Sequence, residues 1–132
     1  FAARWRGGAQ GAEAPFYDRF YVGGLYTVRG FPDQARTAPG GDTRFWSATV
    51  EMRAPLIGRT ANPRLSGLLF VDAAQSFSDN APRLDEVAVG AGWGIRYRLG
   101  WFGWLGLDTG IPLTPGPLKE AYRVHGSLGM TF

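Results

Sequence analysis

The stretch "VAVGAGWGIRYRL", residues 87–99, decides the fold class through its period. Its odd positions are Val87, Val89, Ala91, Trp93, Ile95, Tyr97 and Leu99, and its even positions are Ala88, Gly90, Gly92, Gly94, Arg96 and Arg98. Successive side chains of a strand point to opposite faces, so one face is wholly apolar and the other is small or charged. Residues 122–132 repeat the pattern, with Tyr122, Val124, Gly126, Leu128, Met130 and Phe132 against Arg123, His125, Ser127, Gly129 and Thr131. So do residues 44–53, where Trp46, Ala48, Val50 and Met52 oppose Ser47, Thr49, Glu51 and Arg53. Residues 105–113 and 1–7 alternate in the same way, and a sixth run, 64–77, alternates poorly.

Turn signals separate these runs at 59–63, 78–82 and 114–117. The expected architecture is therefore all-β. It has six antiparallel strands near 1–10, 43–57, 64–77, 86–99, 101–113 and 120–132, and no helix longer than two turns. "GAGWG" at 90–94 superficially suggests a dinucleotide glycine loop, but it sits inside a strand with no helix after it. Its expected role is to keep the sheet thin where something packs on it.

Composition narrows the function classes. A chain of 132 residues suits one domain, and 20 Gly, 5 Trp, 9 Phe and 5 Tyr suit strands and turns. The net charge is +3 with the basic residues spread along the chain, which argues against a nucleic-acid partner. With no cysteine and one histidine, neither a disulfide framework nor a thiolate or multi-histidine metal site is encoded, and no cofactor is expected. No serine, histidine and acid fall in a recognisable nucleophile arrangement, so no catalytic residue is assigned and no enzyme is expected. His125, on a polar face, reads as solvated or hydrogen-bonded. The chain begins at Phe1, which reads as a processed product or a piece of something longer.

No run of about eighteen apolar residues exists for a membrane helix, but strands also cross membranes. A soluble sandwich alternates too, with its apolar face as the core. Here the polar face is full of glycine, arginine and acids. Aromatics near strand ends (Trp46, Tyr97, Trp101, Trp104, Tyr122, Phe132) would form interfacial girdles. Strands of about ten residues, tilted by about 45°, span a bilayer core. The patterns favour a transmembrane barrel over a sandwich. Single-chain membrane barrels start at about eight strands, so the expected partners are the lipid bilayer and the remaining barrel strands or partner chains. The lumen-facing arginines Arg4, Arg6, Arg53, Arg96, Arg98 and Arg123 outnumber the acids there. They either bias a pore toward anions or pair with lumen acids and loops.

Between the first two strands lies a segment of about 11–42, too long for an ordinary hairpin loop. It contains "GGLYTVRGFPD", residues 23–33, in which Arg29 has no acid within three residues on either side. "FYVGGLYTVRGF" resembles the loop motif of the BamA-type outer-membrane barrel superfamily, the bacterial surface antigen family. "ATVEMRAPL", "LLFVDAAQSF", "VGAGWGIRYRLGWFGWLGLDTGIPL" and "VHGSLGMTF" resemble its following strands in order. Ala74 departs from the family's usual glycine, and upstream strands and POTRA domains are missing.

The resemblance implies the C-terminal part of a barrel in the bacterial outer membrane, with a lumen-inserted loop. The loop motif is Val28, Arg29, Gly30 and Phe31, and the loop-bracing acids are Glu51 and Asp72. If Asp72 faces inward, Leu68 and Phe70 do too. The resemblance also implies a C-terminal seam at Gly129 and Phe132, where Gly129 lets the last strand kink and client strands are templated or released. The implied function is insertion or transport of client outer-membrane or secreted proteins. The alternatives are a barrel anchoring a patatin-like phospholipase, or a short barrel assembling from several copies.

Overall fold

The structure, a computed structural model, describes residues 1–78, 82–115 and 121–129. Six strands form one antiparallel sheet in chain order: β1 (Ala2–Ala9), β2 (Arg44–Arg59), β3 (Asn62–Phe77), β4 (Ala88–Arg98), β5 (Trp104–Pro112) and β6 (Arg123–Gly129). Among the described residues the helical structure is limited to single 3-10 turns at Phe16–Asp18 and Leu84–Glu86. The sheet is open. β1 and β6 each have one neighbour, as expected of a barrel segment rather than a complete barrel.

The alternation decides the two faces. On the outer face Val50, Met52, Leu69, Val71, Trp93, Tyr97, Leu105, Leu107, Ile111, Val124 and Leu128 are all exposed. Val89 and Ile95 share that face and are half-buried. On the inner face Ser47, Thr49, Glu51, Asp72, Gly90, Gly94 and Asp108 are buried. A water-soluble sheet would bury the first set and wet the second. The inversion suits a sheet whose outside meets lipid.

The middle of the inner face is buried because residues 10–43 fold across it. Val22, Val28 and Phe31 of this loop pack with Ala74 and Ala88 of the sheet, with Phe45 alongside. β3 alternates poorly in sequence for the same reason. Leu68 and Phe70 point inward with Asp72 and are buried beneath the loop.

Several boundaries differ from the sequence reading. The β2–β3 hairpin is longer, and the expected turn at 59–63 shrinks to Thr60-Ala61. Both strands have 16 residues. At about 3.3 Å per residue and a tilt of about 45° each rises about 37 Å, beyond a hydrocarbon core of about 30 Å. The prolines fit because Pro55 borders a bulge and Pro63 lies beyond the end of β4. The bulge between Pro55 and Ile57 leaves both Leu56 and Ile57 exposed. β5 begins at Trp104, not 101, because Gly100 and Gly103 take positive φ in a turn closed by Leu99 N–H donating to the Gly103 carbonyl at 2.8 Å. Trp104 faces inward beside Arg53, Ser66 and Arg96, so it does not belong to an outer girdle. Phe132 lies outside the described residues.

Candidate functional site

The loop enters the sheet's inner face through a chain of local constraints. Gly23 N–H donates to the Thr27 hydroxyl at 2.8 Å, and Thr27 N–H donates to the Gly24 carbonyl at 3.2 Å, forming a tight turn. The turn presents Val28 and Phe31 as buried apolar anchors on either side of Arg29 and Gly30. Gly30 has a φ of 101°, and a Cβ there would sit 2.9 Å from the Ile111 backbone. Position 30 is thus restricted to glycine by conformation and by space.

Arg29 reaches three strands at once. Its Nε donates to Asp72 Oδ2 at 2.7 Å, and an NH2 nitrogen donates to Oδ1 at 2.9 Å. The Arg29 backbone N–H also donates to Asp72 Oδ2, at 3.1 Å. The other guanidinium nitrogen lies 2.9 Å from Glu51 Oε1 and 3.4 Å from Asp108 Oδ2. The guanidinium carbon stands 3.4 Å from the centroid of the Phe70 ring. A planar fork with five donors can meet two Asp72 oxygens and two further acids while stacking on an aromatic face. Burial alone would lower the Arg29 pKa, but hydrogen bonding and charge from Asp72, followed by Glu51, raise it above the ordinary value. The group is therefore charged.

Two further arginines complete the cluster. Arg53 donates to Glu51 Oε2 at 2.9 and 2.7 Å. Arg96 grips Asp108 with two bonds of 2.6 and 2.8 Å. Arg53, Glu51, Arg29, Asp72, Asp108 and Arg96 thus form a charge-balanced network of three cations and three anions. Buried charges persist when paired and hydrogen-bonded in this way.

The register explains the glycines of β4. Asp72 lies opposite Gly90, Phe70 opposite Gly92, and Asp108 opposite Gly94. A Cβ at Gly90 would collide with the Arg29 carbonyl oxygen, one at Gly92 would lie 2.7 Å from the Phe70 ring, and one at Gly94 would collide with Asp108. On β5, a Cβ at Gly110 would run into the Gly30 backbone. Three consecutive inward positions without side chains give the loop, the ring and the carboxylate room to settle on bare backbone.

The structure therefore brings Val28, Arg29, Gly30, Phe31, Glu51 and Asp72 together. Gly129 stays in register with Trp104 at the end of β6. Asp108, Arg53, Arg96 and Phe70 belong to the same cluster and were not singled out as bracing residues by sequence reasoning. The signal for Asp108 was its place on a polar face between Gly106 and Gly110. His125 lies directly opposite Asp108 and is half-buried, with its Nε2 buried and without a hydrogen-bond partner among the described residues. Ser76 is a fastening point, 2.8 Å from the Thr37 hydroxyl. Nearer the loop ends, Arg36 donates to the carbonyls of Pro115 at 2.7 Å and Glu86 at 3.2 Å, tying three loops together.

An antiparallel sheet with an apolar outside, a polar inside and an ion-paired loop lying across that inside defines a segment of a β-barrel of the outer-membrane type. The family model described as the Omp85 superfamily domain matches residues 1–132, and the chain belongs to that superfamily. The superfamily is associated with the bacterial outer membrane and with the insertion and translocation of proteins there. A comparison with curated proteins finds no match.

Proposed function

We propose that the chain forms the C-terminal part of an outer-membrane barrel that inserts proteins into the membrane or passes them across it, without covalent chemistry. The observation that carries this reading is the Arg29 cluster. A loop pinned by three carboxylates stiffens the wall made by β2, β3 and β5. β6 takes no part in the pinning, and a closing strand held less firmly than its neighbours can serve as a template for another strand. The long connections 10–43, 78–87 and 113–122 share one end of the sheet, and the short turns 60–61 and 99–103 share the other. Bacterial barrels put long loops outside the cell and short turns in the periplasm, which supports placing the long connections on the outer side.

The test is complementation. In cells depleted of the complete protein, the wild type restores the levels of heat-modifiable outer-membrane barrels or of secreted proteins, and Arg29→Ala does not. An unchanged envelope and secreted proteome, with phospholipid hydrolysis lost on depletion, would assign the barrel to anchoring an enzyme instead.

A further inference from the structure

We infer that the inner face near the short turns binds an extended, acidic polypeptide segment of a client, an inference that rests on the function proposed above. Toward the short turns the loop no longer covers this face, and Arg53 and Arg64 are exposed there. Register and strand alternation set the inward side chains in steps. Arg53 lies opposite Leu68, which is level with Gly94 and Asp108. The next inward step holds Pro55, Ser66 and Arg96. The step after it holds Arg64 on β3, Arg98 on β4 and Trp104 opposite Arg98 on β5. A cavity of about 540 Å³ lies along this wall, lined by Arg53, Pro55, Thr60, Ser66, Arg96 and Trp104. Its volume falls in the range of ligand sites.

Charge selects the occupant. No acid occurs in residues 52–71 or 87–107, whereas Arg53, Arg59, Arg64, Arg96 and Arg98 fall in those intervals. Glu13, Asp18, Asp33, Asp42, Asp85 and Glu86 belong to the long connections, which join the strands at the opposite end. Arg96 is committed to Asp108. Arg53 places its Nε and one terminal nitrogen on a single Glu51 oxygen, and its side chain is still 58 % exposed. Arg64 and Arg98 have no carboxylate partner among the described residues, and Arg98 lies 5.9 Å from the Trp104 ring centroid. The open end of the inner wall thus carries positive charge with no acid of its own to meet it.

Spacing favours a chain over a small anion. Two inward steps, at about 3.3 Å per residue, set the Arg53 level about 13 Å from the level of Arg64 and Arg98. Residues i and i+4 of an extended segment are separated by the same distance, so two carboxylates on one such segment meet both levels. Arginines spread over that length do not converge on one phosphate. Between them the Trp104 ring and Pro55 offer apolar surface to the intervening side chains, and the Thr60 and Ser66 hydroxyls can donate to or accept from a peptide backbone. Arginine clusters read acidic stretches in this way, through charge-assisted hydrogen bonds. The Arg29 cluster closes the far end of the wall, so the segment enters from the side of the short turns.

The experiment uses the complete protein in phosphatidylcholine nanodiscs and two fluorescent peptides, one with aspartates four residues apart and one with asparagines in their place. Anisotropy should show tighter binding of the aspartate peptide. Arg64→Gln/Arg98→Gln should weaken it by up to about thirtyfold, at about fivefold per arginine. Arg44→Gln, at the opposite end of β2, should leave it unchanged. Trp104→Ala should weaken both peptides. A photo-crosslinker at Ser66 should capture the aspartate peptide, and one at Leu69 on the outer face should not. Heat-modifiability of each variant confirms folding. Equal affinity for the two peptides, undiminished affinity in the double variant, capture from Leu69 in place of Ser66, or full displacement by millimolar inorganic phosphate would each overturn the site. Loss of client proteins on depletion, with equal binding of the two peptides, counts against the site alone. Preferential binding with an unchanged envelope and secreted proteome counts against the functional reading alone.

Discussion

Replacing Arg29 by alanine takes the central cation out of a balanced cluster, and the structure says which anion suffers. Glu51 keeps Arg53 at 2.7 Å, and Asp108 keeps Arg96 at 2.6 Å. Asp72, with a side chain 2 % exposed, keeps the backbone N–H of residue 29 but loses every guanidinium contact. An uncompensated buried charge costs about 3–5 kcal/mol, against about 0–1 kcal/mol for an exposed pair. The low exposure of Asp72 places the expected loss in the upper range. Arg29→Ala/Asp72→Ala returns the cluster to neutrality, with two arginines on two acids. The double variant should cost no more than Arg29→Ala alone, a coupling of about 2–3 kcal/mol. Arg29→Lys should rescue in part, since an ammonium keeps the charge but cannot fork onto Asp72 and reach Glu51 together. The assay is urea unfolding of the complete barrel in detergent, followed by heat-modifiability. Additive single-variant effects, or a loss below about 1 kcal/mol for Arg29→Ala, would mean that water screens the cluster and that Val28 and Phe31 hold the loop.

Four other outcomes follow from the same geometry. Gly90→Ala and Gly110→Ala drive a Cβ into loop backbone and should each cost about 1–3 kcal/mol, with proteolysis opening within residues 23–33. Gly126→Ala, whose Cβ would meet Leu107 at 3.9 Å, should change stability by less than about 0.5 kcal/mol. Arg36→Ala removes two hydrogen bonds that join the loops, so protease sites between 34 and 40 should open while barrel stability falls by less than about 3 kcal/mol. Trp93→Arg puts a cation on the lipid face and should cost about 2–4 kcal/mol near the midplane, and a spin label at Trp93 should meet a lipid-soluble quencher that a label at Ser47 does not.

The faces of β1, β2, β4, β5 and β6 were legible because strand alternation is local and a lipid-facing row tolerates few polar residues. β3 was harder. Leu68 and Phe70 face the lumen beside Asp72, and what makes that favourable is a loop some forty positions earlier. Glu51 and Asp72 came from resemblance, since nothing in their neighbourhood points to Arg29. Asp108 could be placed on its face by alternation, but its contact with the loop depends on how the sheet bends β5 toward β2. The glycines at 90, 92 and 94 signalled a thin wall without revealing that a carbonyl, a ring and a carboxylate occupy the three spaces. The strand ends moved where a bulge or a glycine turn displaced them, features that depend on pairing partners rather than on the strand's own pattern.

The spread of the Arg29 contacts along the chain has a kinetic consequence. Asp72 is 43 positions away and Asp108 is 79. Contacts between residues so far apart form late, because loop closure must be met before they contribute. Until β5 is in place, the inserting loop meets only part of its final counter-charge. Docking of Arg29 therefore belongs on the native side of the folding barrier. Substitutions in the cluster should leave the rate of barrel formation nearly unchanged and act by accelerating its loss, so their effect will be read in the lifetime of the folded state.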